Sequence, residues 1–296
     1  MLYILLGLMV LCYALQSLFE KLYAANCKGD SGEASLRFAV IFGVFIGGAT
    51  LAAGCISAGG FSFAPSRGTI LYAIGAAAML VIFHLTQIGA TMRGSYAIAN
   101  LCMLFGGILI PMVVSMIQMG QRLSVLQIIA VVMMCAAFVL LNCQGMSLKG
   151  AKKGFWFFCI ALGISNGVFG SFLALQADFA PVERTEMLTV GYLTSAVLAL
   201  LVLLFRKVRG KGQGEFHMTR RAVLFALGCC AVATVAVNIL SYLLARMNVT
   251  VVNTVDNGGV LILAALFGLI IFREKLTKLQ FCGLGVALAS VILLSF

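Results

Sequence analysis

Charge is scarce in this chain. Only 10% of its 296 residues are Asp, Glu, Lys or Arg, while 62% are hydrophobic, and the mean hydropathy is +1.12. A soluble domain is roughly half apolar and about a quarter charged, so a soluble core could not hide this much apolar surface. Alternating patterns are missing as well. The apolar runs are continuous, which excludes a transmembrane barrel. The composition therefore predicts an all-α polytopic membrane protein.

Signatures of metal and redox chemistry are also missing. No C-x-x-C occurs, and the adjacent pair Cys229-Cys230 does not have a metal-ligand spacing. Many of the cysteines lie inside apolar runs (Cys12, Cys55, Cys102, Cys135, Cys159, Cys282), where cysteine behaves as a small hydrophobe. No disulfide framework, metal site or cofactor is expected. A membrane-embedded enzyme would need a His-rich cluster, an H-E-x-x-H or paired aspartates at helical spacing, and none is found. A channel would need a filter-like or re-entrant loop, and none is visible. The first apolar run, Leu2 to Phe19, has neither a basic n-region nor a small-residue cleavage site. It reads as a retained span rather than a signal peptide.

Ten apolar runs are present, at about 2–20, 36–58, 68–90, 94–118, 124–143, 154–176, 187–205, 221–244, 247–271 and 277–296. Each is near the ~20 residues that cross the hydrocarbon, and the breaks between them are too short for a soluble domain. The net charge of +11 does not indicate nucleic acid, because the basic residues cluster in these breaks. Sixteen of the twenty lie after runs 1, 3, 5, 7 and 9, six of them between Arg206 and Arg221. The other four are Arg67, Arg122, Arg184 and Arg246. The positive-inside rule puts the richer side in the cytoplasm and both termini outside.

The stretch from Arg246 to Phe272 has an echo. A shift of 153 residues lays Arg93 on Arg246, Asn100 on Asn253, Gly106 on Gly259, Ile117 on Ile270, Leu126-Gln127 on Leu279-Gln280 and Leu140-Leu141 on Leu293-Leu294. The chain therefore reads as two five-helix repeats, residues 1–146 and 147–296, forming one transport domain. Five is odd, so two sequential copies sit inverted in the membrane. In inverted-repeat transporters the substrate site lies between the halves near the midplane. Ser124 with Gln127 and Thr277 with Gln280 are capping boxes that open the last helix of each repeat. Gly43-x-x-x-Gly47 and Gly163-x-x-x-Gly167 mark close helix contacts, and Pro111 falls inside span 4.

Asp256 is the leading candidate for chemistry. It lies ten residues past Arg246, about 15 Å at helix rise. A carboxylate at that depth costs about 2.5–3.5 kcal/mol on insertion scales. It requires a water-filled cavity, a partner or protonation, and can then bind a cationic substrate or exchange a proton. Its repeat mate is Met103. Asn253 and Asn257 share its helix face, continued by Thr250, and Asn100 with Tyr96 is the counterpart in the first repeat. Tyr13, Gln16 and Glu20 form a face of span 1, and His84, Gln87 and Thr91 a face of span 3. Asn166 on span 6, with Asn238 and Tyr242 on span 8, completes the set. Each of these polar groups has a structural alternative as interhelical glue. Tyr3 and Trp156 sit near span ends as interfacial anchors.

The end of the second repeat, Phe267-Gly268-Leu269-Ile270-Ile271-Phe272-Arg273-Glu274-Lys275-Leu276-Thr277 followed by Leu279-Gln280 and Gly283, resembles the signature of the drug/metabolite transporter superfamily, in particular its EamA-type ten-helix members. The first copy departs from it, with Gln121 in place of the acid and Ala130 in place of Gly283. The resemblance implies a bacterial inner-membrane carrier, for uptake or efflux of a small polar or cationic metabolite or drug-like solute. It also implies a cavity lined by spans 1, 3, 4, 6, 8 and 9 and cytoplasmic termini. The last point opposes the charge count, which is retained. Glu274 matches the acid of that signature, and it is expected to orient its loop rather than contact substrate. The expected partners are the lipid bilayer and a small-molecule substrate, as monomer or homodimer, by proton- or gradient-coupled alternating access. An embedded enzyme, a channel or a scaffold without a transport cycle remain the alternatives.

Overall fold

The computed structural model describes residues 1–28, 31–57, 63–91, 93, 96–142, 153–176, 179–209, 217–270 and 277–294. Among them run ten helices: α1 (Leu2–Ala25), α2 (Ser31–Ser57), α3 (Arg67–Thr91), α4 (Tyr96–Gln118), α5 (Val125–Asn142), α6 (Phe155–Leu175), α7 (Pro181–Val208), α8 (Arg220–Leu244), α9 (Val249–Ile270) and α10 (Lys278–Leu293). Seven of these, α1 to α4 and α6 to α8, are long and apolar enough to cross a membrane, and α5, α9 and α10 contain shorter apolar stretches. The chain is a multi-pass membrane protein. The signature residues Ile271 to Leu276, Glu274 included, and Asp178 lie outside the described residues.

Helix ends follow local chemistry. Thr277 and Gln280 bond reciprocally, Thr277 N–H to Gln280 Oε1 at 3.0 Å and Gln280 N–H to Thr277 Oγ1 at 3.4 Å. Ser124 and Gln127 do the same at 3.1 and 3.2 Å. Both predicted capping boxes are thus formed. Helix α7 begins six residues before the apolar run, at Pro181. Pro is pre-set for a first helical turn, and Glu183 Oε2 accepts the Ala180 N–H. The polar stretch ahead of the apolar run is therefore helix, and Glu186 is buried there, accepting the Ala64 N–H through Oε1 at 2.8 Å. Helix α4 continues through Pro111.

The main helix pairs are α2 with α7, α4 with α6, α1 with α8, α3 with α6 and α7, and α5 with α10. The largest apolar cluster joins α1, α2, α7, α8 and the start of α9. A second joins α4, α5, α9 and α10 around Phe138 and Met134. At the basic end a two-residue antiparallel ribbon pairs β1 (Cys27–Lys28) with β2 (His217–Met218), and Thr219 Oγ1 donates to the Asn26 carbonyl. Large apolar side chains such as Leu71, Val132 and Phe281 point outward, as a lipid-facing surface requires. Tyr3 and Trp156 are also exposed, each within the first turns of its helix.

Candidate functional site

Asp256 lies seven residues into α9, about 10 Å along the axis, and α9 packs against α1 on one side and α4 on the other. On the α1 side, Gly259 is so close to Val10 that a Cβ there would meet Val10 Cγ1 at 2.6 Å. Asp256 is partly exposed, but its Oδ1 is buried and has no hydrogen-bond partner among the described residues. Tyr13 of α1 is within electrostatic reach of Asp256 and of Tyr192 on α7. The sequence analysis did not single out Tyr192. Nothing separates it from the many aromatics of apolar runs until α7 is placed against α2 and α3.

From Tyr192 an aromatic path leads to α3. Phe42 stacks edge-on to Tyr192 at 6.1 Å between centroids and to His84 at 5.8 Å. His84 is also edge-on to Phe38 and Phe83. It is buried, and Nε2 has no hydrogen-bond partner among the described residues. Beside Tyr192 a small apolar void of about 10 Å³ is bounded by Ala76, Leu80, Phe169, Leu173 and Gly191. That is room for about one water. Gln87 is partly buried one turn beyond His84.

On the α4 side, Asn166 and Asn257 meet across Gly107. A Cβ at Gly107 would lie 2.6 Å from Asn166 Nδ2 and 3.0 Å from Asn257 Oδ1. Asn166 donates to the Met103 carbonyl at 2.9 Å. Asn257 donates to the Asn253 carbonyl at 2.8 Å and Asn253 to the Val249 carbonyl at 3.0 Å, both along their own helix. Their amide oxygens are thereby aimed away from the helix backbone. Thr250 and Thr254 carry buried hydroxyls without partners among the described residues. This polar stripe predicted on α9 is present, and it faces two neighbours rather than one.

The remaining candidates are spread more widely. Gln16 has a buried Oε1 without a partner among the described residues. Glu20 is within reach of Cys229 and Cys230 on α8, toward the basic end. Asn238 donates to the Thr234 carbonyl at 2.8 Å and the Thr50 hydroxyl at 3.5 Å, joining α8 to α2. The Tyr242 ring lies 3.7 Å from the Arg246 guanidinium at the end of α8. There a cleft of about 460 Å³ opens between Met119, Gln121, Arg122, Arg246 and Asn248. The side chains of Tyr96 and Asn100 lie outside the described residues.

An acid with one buried carboxylate oxygen, a tyrosine of α1 and side-chain amides thus lie on or near α9. Residues 154–296 match the model of the EamA-like transporter family. That stretch of the chain is similar to EamA-like transporters. The matched EamA-like stretch holds Asn166, Asn238, Tyr242, Asn253, Asp256 and Asn257. Of the candidates in the other half, Tyr13 is within electrostatic reach of Asp256. No curated protein matches the sequence. A protein crystal structure is similar in fold, with a TM-score of 0.77 at 16% identity, covering 99% of this chain and 96% of the other.

Proposed function

We propose that the protein is a secondary transporter, for uptake or efflux of a small polar or cationic metabolite or drug-like solute. The observation that carries this reading is Asp256, whose buried Oδ1 has no partner among the described residues and which lies within electrostatic reach of Tyr13, in a stretch that matches the EamA-like transporter family. An acid at that depth is costly unless a proton or a cationic solute joins it. Tyr13, Tyr192 and the α9 amides then orient the solute, and proton or solute gradients drive the cycle.

In this proposal ten helices span the membrane as two inverted repeats, residues 1–146 and 147–296. Helix neighbours support it. Exchanging each helix with the one five later turns α1–α8 into α6–α3, α1–α9 into α6–α4, and α2–α8 into α7–α3, and leaves α2–α7, α4–α9 and α5–α10 unchanged. All of these pairs are in contact. Two such halves can tilt against each other around a fixed site. The membrane is the bacterial inner membrane, with both termini outside by the charge distribution.

Purified protein in liposomes tests the reading. Saturable solute flux driven by an imposed pH or solute gradient is expected. Flux that does not saturate and reaches channel rates would overturn it.

A further inference from the structure

Helices α4 and α6 run side by side in a constant register. A Cβ on Gly163 of α6 would meet the Cys102 carbonyl oxygen of α4 at 2.6 Å. Gly106, one turn after Cys102, touches the Gly163 backbone, and Gly167 touches Gly106 and Ile110. The α4 series 102, 106, 110 thus lies along the α6 series 159, 163, 167, each stepping by one turn. The first members of the two series are both cysteines. Cys102 and Cys159 are free, lie within electrostatic reach of each other, and pack in one apolar cluster. A disulfide needs Cα atoms roughly 4.4–6.8 Å apart, and close backbone approach along a small-residue seam is the packing that provides such separations.

We propose that Cys102 and Cys159 form an oxidisable dithiol, a modification site whose reagent is a small neutral peroxide. Cys102 is half-buried and Cys159 fully buried, so Cys102 meets the peroxide first. Its sulfur attacks one oxygen, the O–O bond breaks, and the departing oxygen leaves as water with the thiol proton. The Cys102 sulfenic acid is then attacked by the Cys159 sulfur. The S–S bond forms, the S–O bond breaks, and the hydroxide leaves as water with the Cys159 proton. Two thiols have given two electrons to one peroxide. The apolar surroundings hold back the first step, because the thiolate is the nucleophile. The second is intramolecular between groups packed in one cluster, which favours it strongly. The product ties a helix of residues 1–146 to a helix of residues 147–296. That this tie arrests transport rests on the carrier reading, whereas the dithiol itself does not.

The test uses the full-length protein in detergent, exposed to hydrogen peroxide, denatured, alkylated, digested and read by mass spectrometry. Joint loss of the alkylated Cys102 and Cys159 peptides is expected, with gain of one linked peptide that dithiothreitol separates. In Cys159→Ala the linked peptide is lost and Cys102 sulfenic acid becomes trappable by dimedone. The wild-type readout decides the matter even if that variant folds poorly. Cys102 and Cys159 both remaining alkylatable at a dose that consumes the exposed Cys282 would overturn the proposal, as would a linked peptide joining either to another cysteine.

Discussion

Asn166 on α6 donates its side-chain amide to the Met103 carbonyl on α4 at 2.9 Å. The bond crosses from one half of the chain to the other next to Gly107, where the absence of a side chain also admits Asn257. A seam of glycines and one side-chain amide therefore holds α4 against α6 and brings the α9 stripe up to the same point.

Replacing Asn166 by Leu should cost about 0.6 kcal/mol, the average for interhelical hydrogen bonds in membranes, and no more than about 1.7 kcal/mol. Thermal melting in detergent reads this as a lowered midpoint. A midpoint equal to wild type would mean that the Met103 bond contributes nothing net.

Gly163→Ala should cost more. Its Cβ would press on the Cys102 carbonyl, and backbone cannot swing aside as a long side chain can. Overpacking of this kind costs about 1–3 kcal/mol. Gly285→Ala on α10 is the control. Nothing lies within 4 Å of a Cβ there, so helix propensity alone operates and stability should hold or rise by about 0.5–1 kcal/mol. Equal melting points for the two variants would contradict the contact geometry.

Asp256→Asn keeps the shape of the side chain and removes its charge and exchangeable proton. Gradient-driven flux in liposomes should fall to background, while size-exclusion behaviour and melting stay near wild type. Undiminished flux would remove Asp256 from the mechanism.

Orientation is checked at Arg209, which is exposed just past α7 at the basic end. A Cys placed there should react with a membrane-impermeant maleimide only after cells are opened. Labelling in intact cells would reverse the assignment and put the termini in the cytoplasm.

Much of the fold was legible because lipid leaves the backbone little choice. Each of the ten apolar runs overlaps a helix, and several ends agree within a residue or two, as at Arg67, Gln118 and Leu244. The errors fall where a helix continues past the apolar run. Helix α1 extends beyond Glu20 to Ala25, and α7 starts among Glu183, Arg184 and Glu186, since hydropathy tracks the solvent and not the backbone. On the site, the placing of Asp256 and the amides on one helix could be read from spacing, but α9 starts at Val249, which puts Asp256 about 10 Å rather than 15 Å along the axis. Tyr192 could not, nor could Gln176, which is fully buried at the end of α6 with neither amide atom partnered among the described residues. Gln121, which accepts the Val249 N–H at the start of α9, was also hidden, because it acts across 128 residues of chain. What a side chain faces depends on neighbours that one-dimensional periodicity does not name.

The ribbon between β1 and β2 sets a timetable for assembly. It joins the turn after α1 to the turn before α8, and the Thr219 bond beside it spans 193 residues. The principal neighbour of α1 is α8, and that of α2 is α7. The first hairpin to leave the ribosome therefore finds its permanent partners only when most of the chain has been made. Until then Gln16 and Glu20 face lipid or a chaperoning surface instead of Cys229 and its neighbours. The small ribbon cannot close before residues 217–218 have been made.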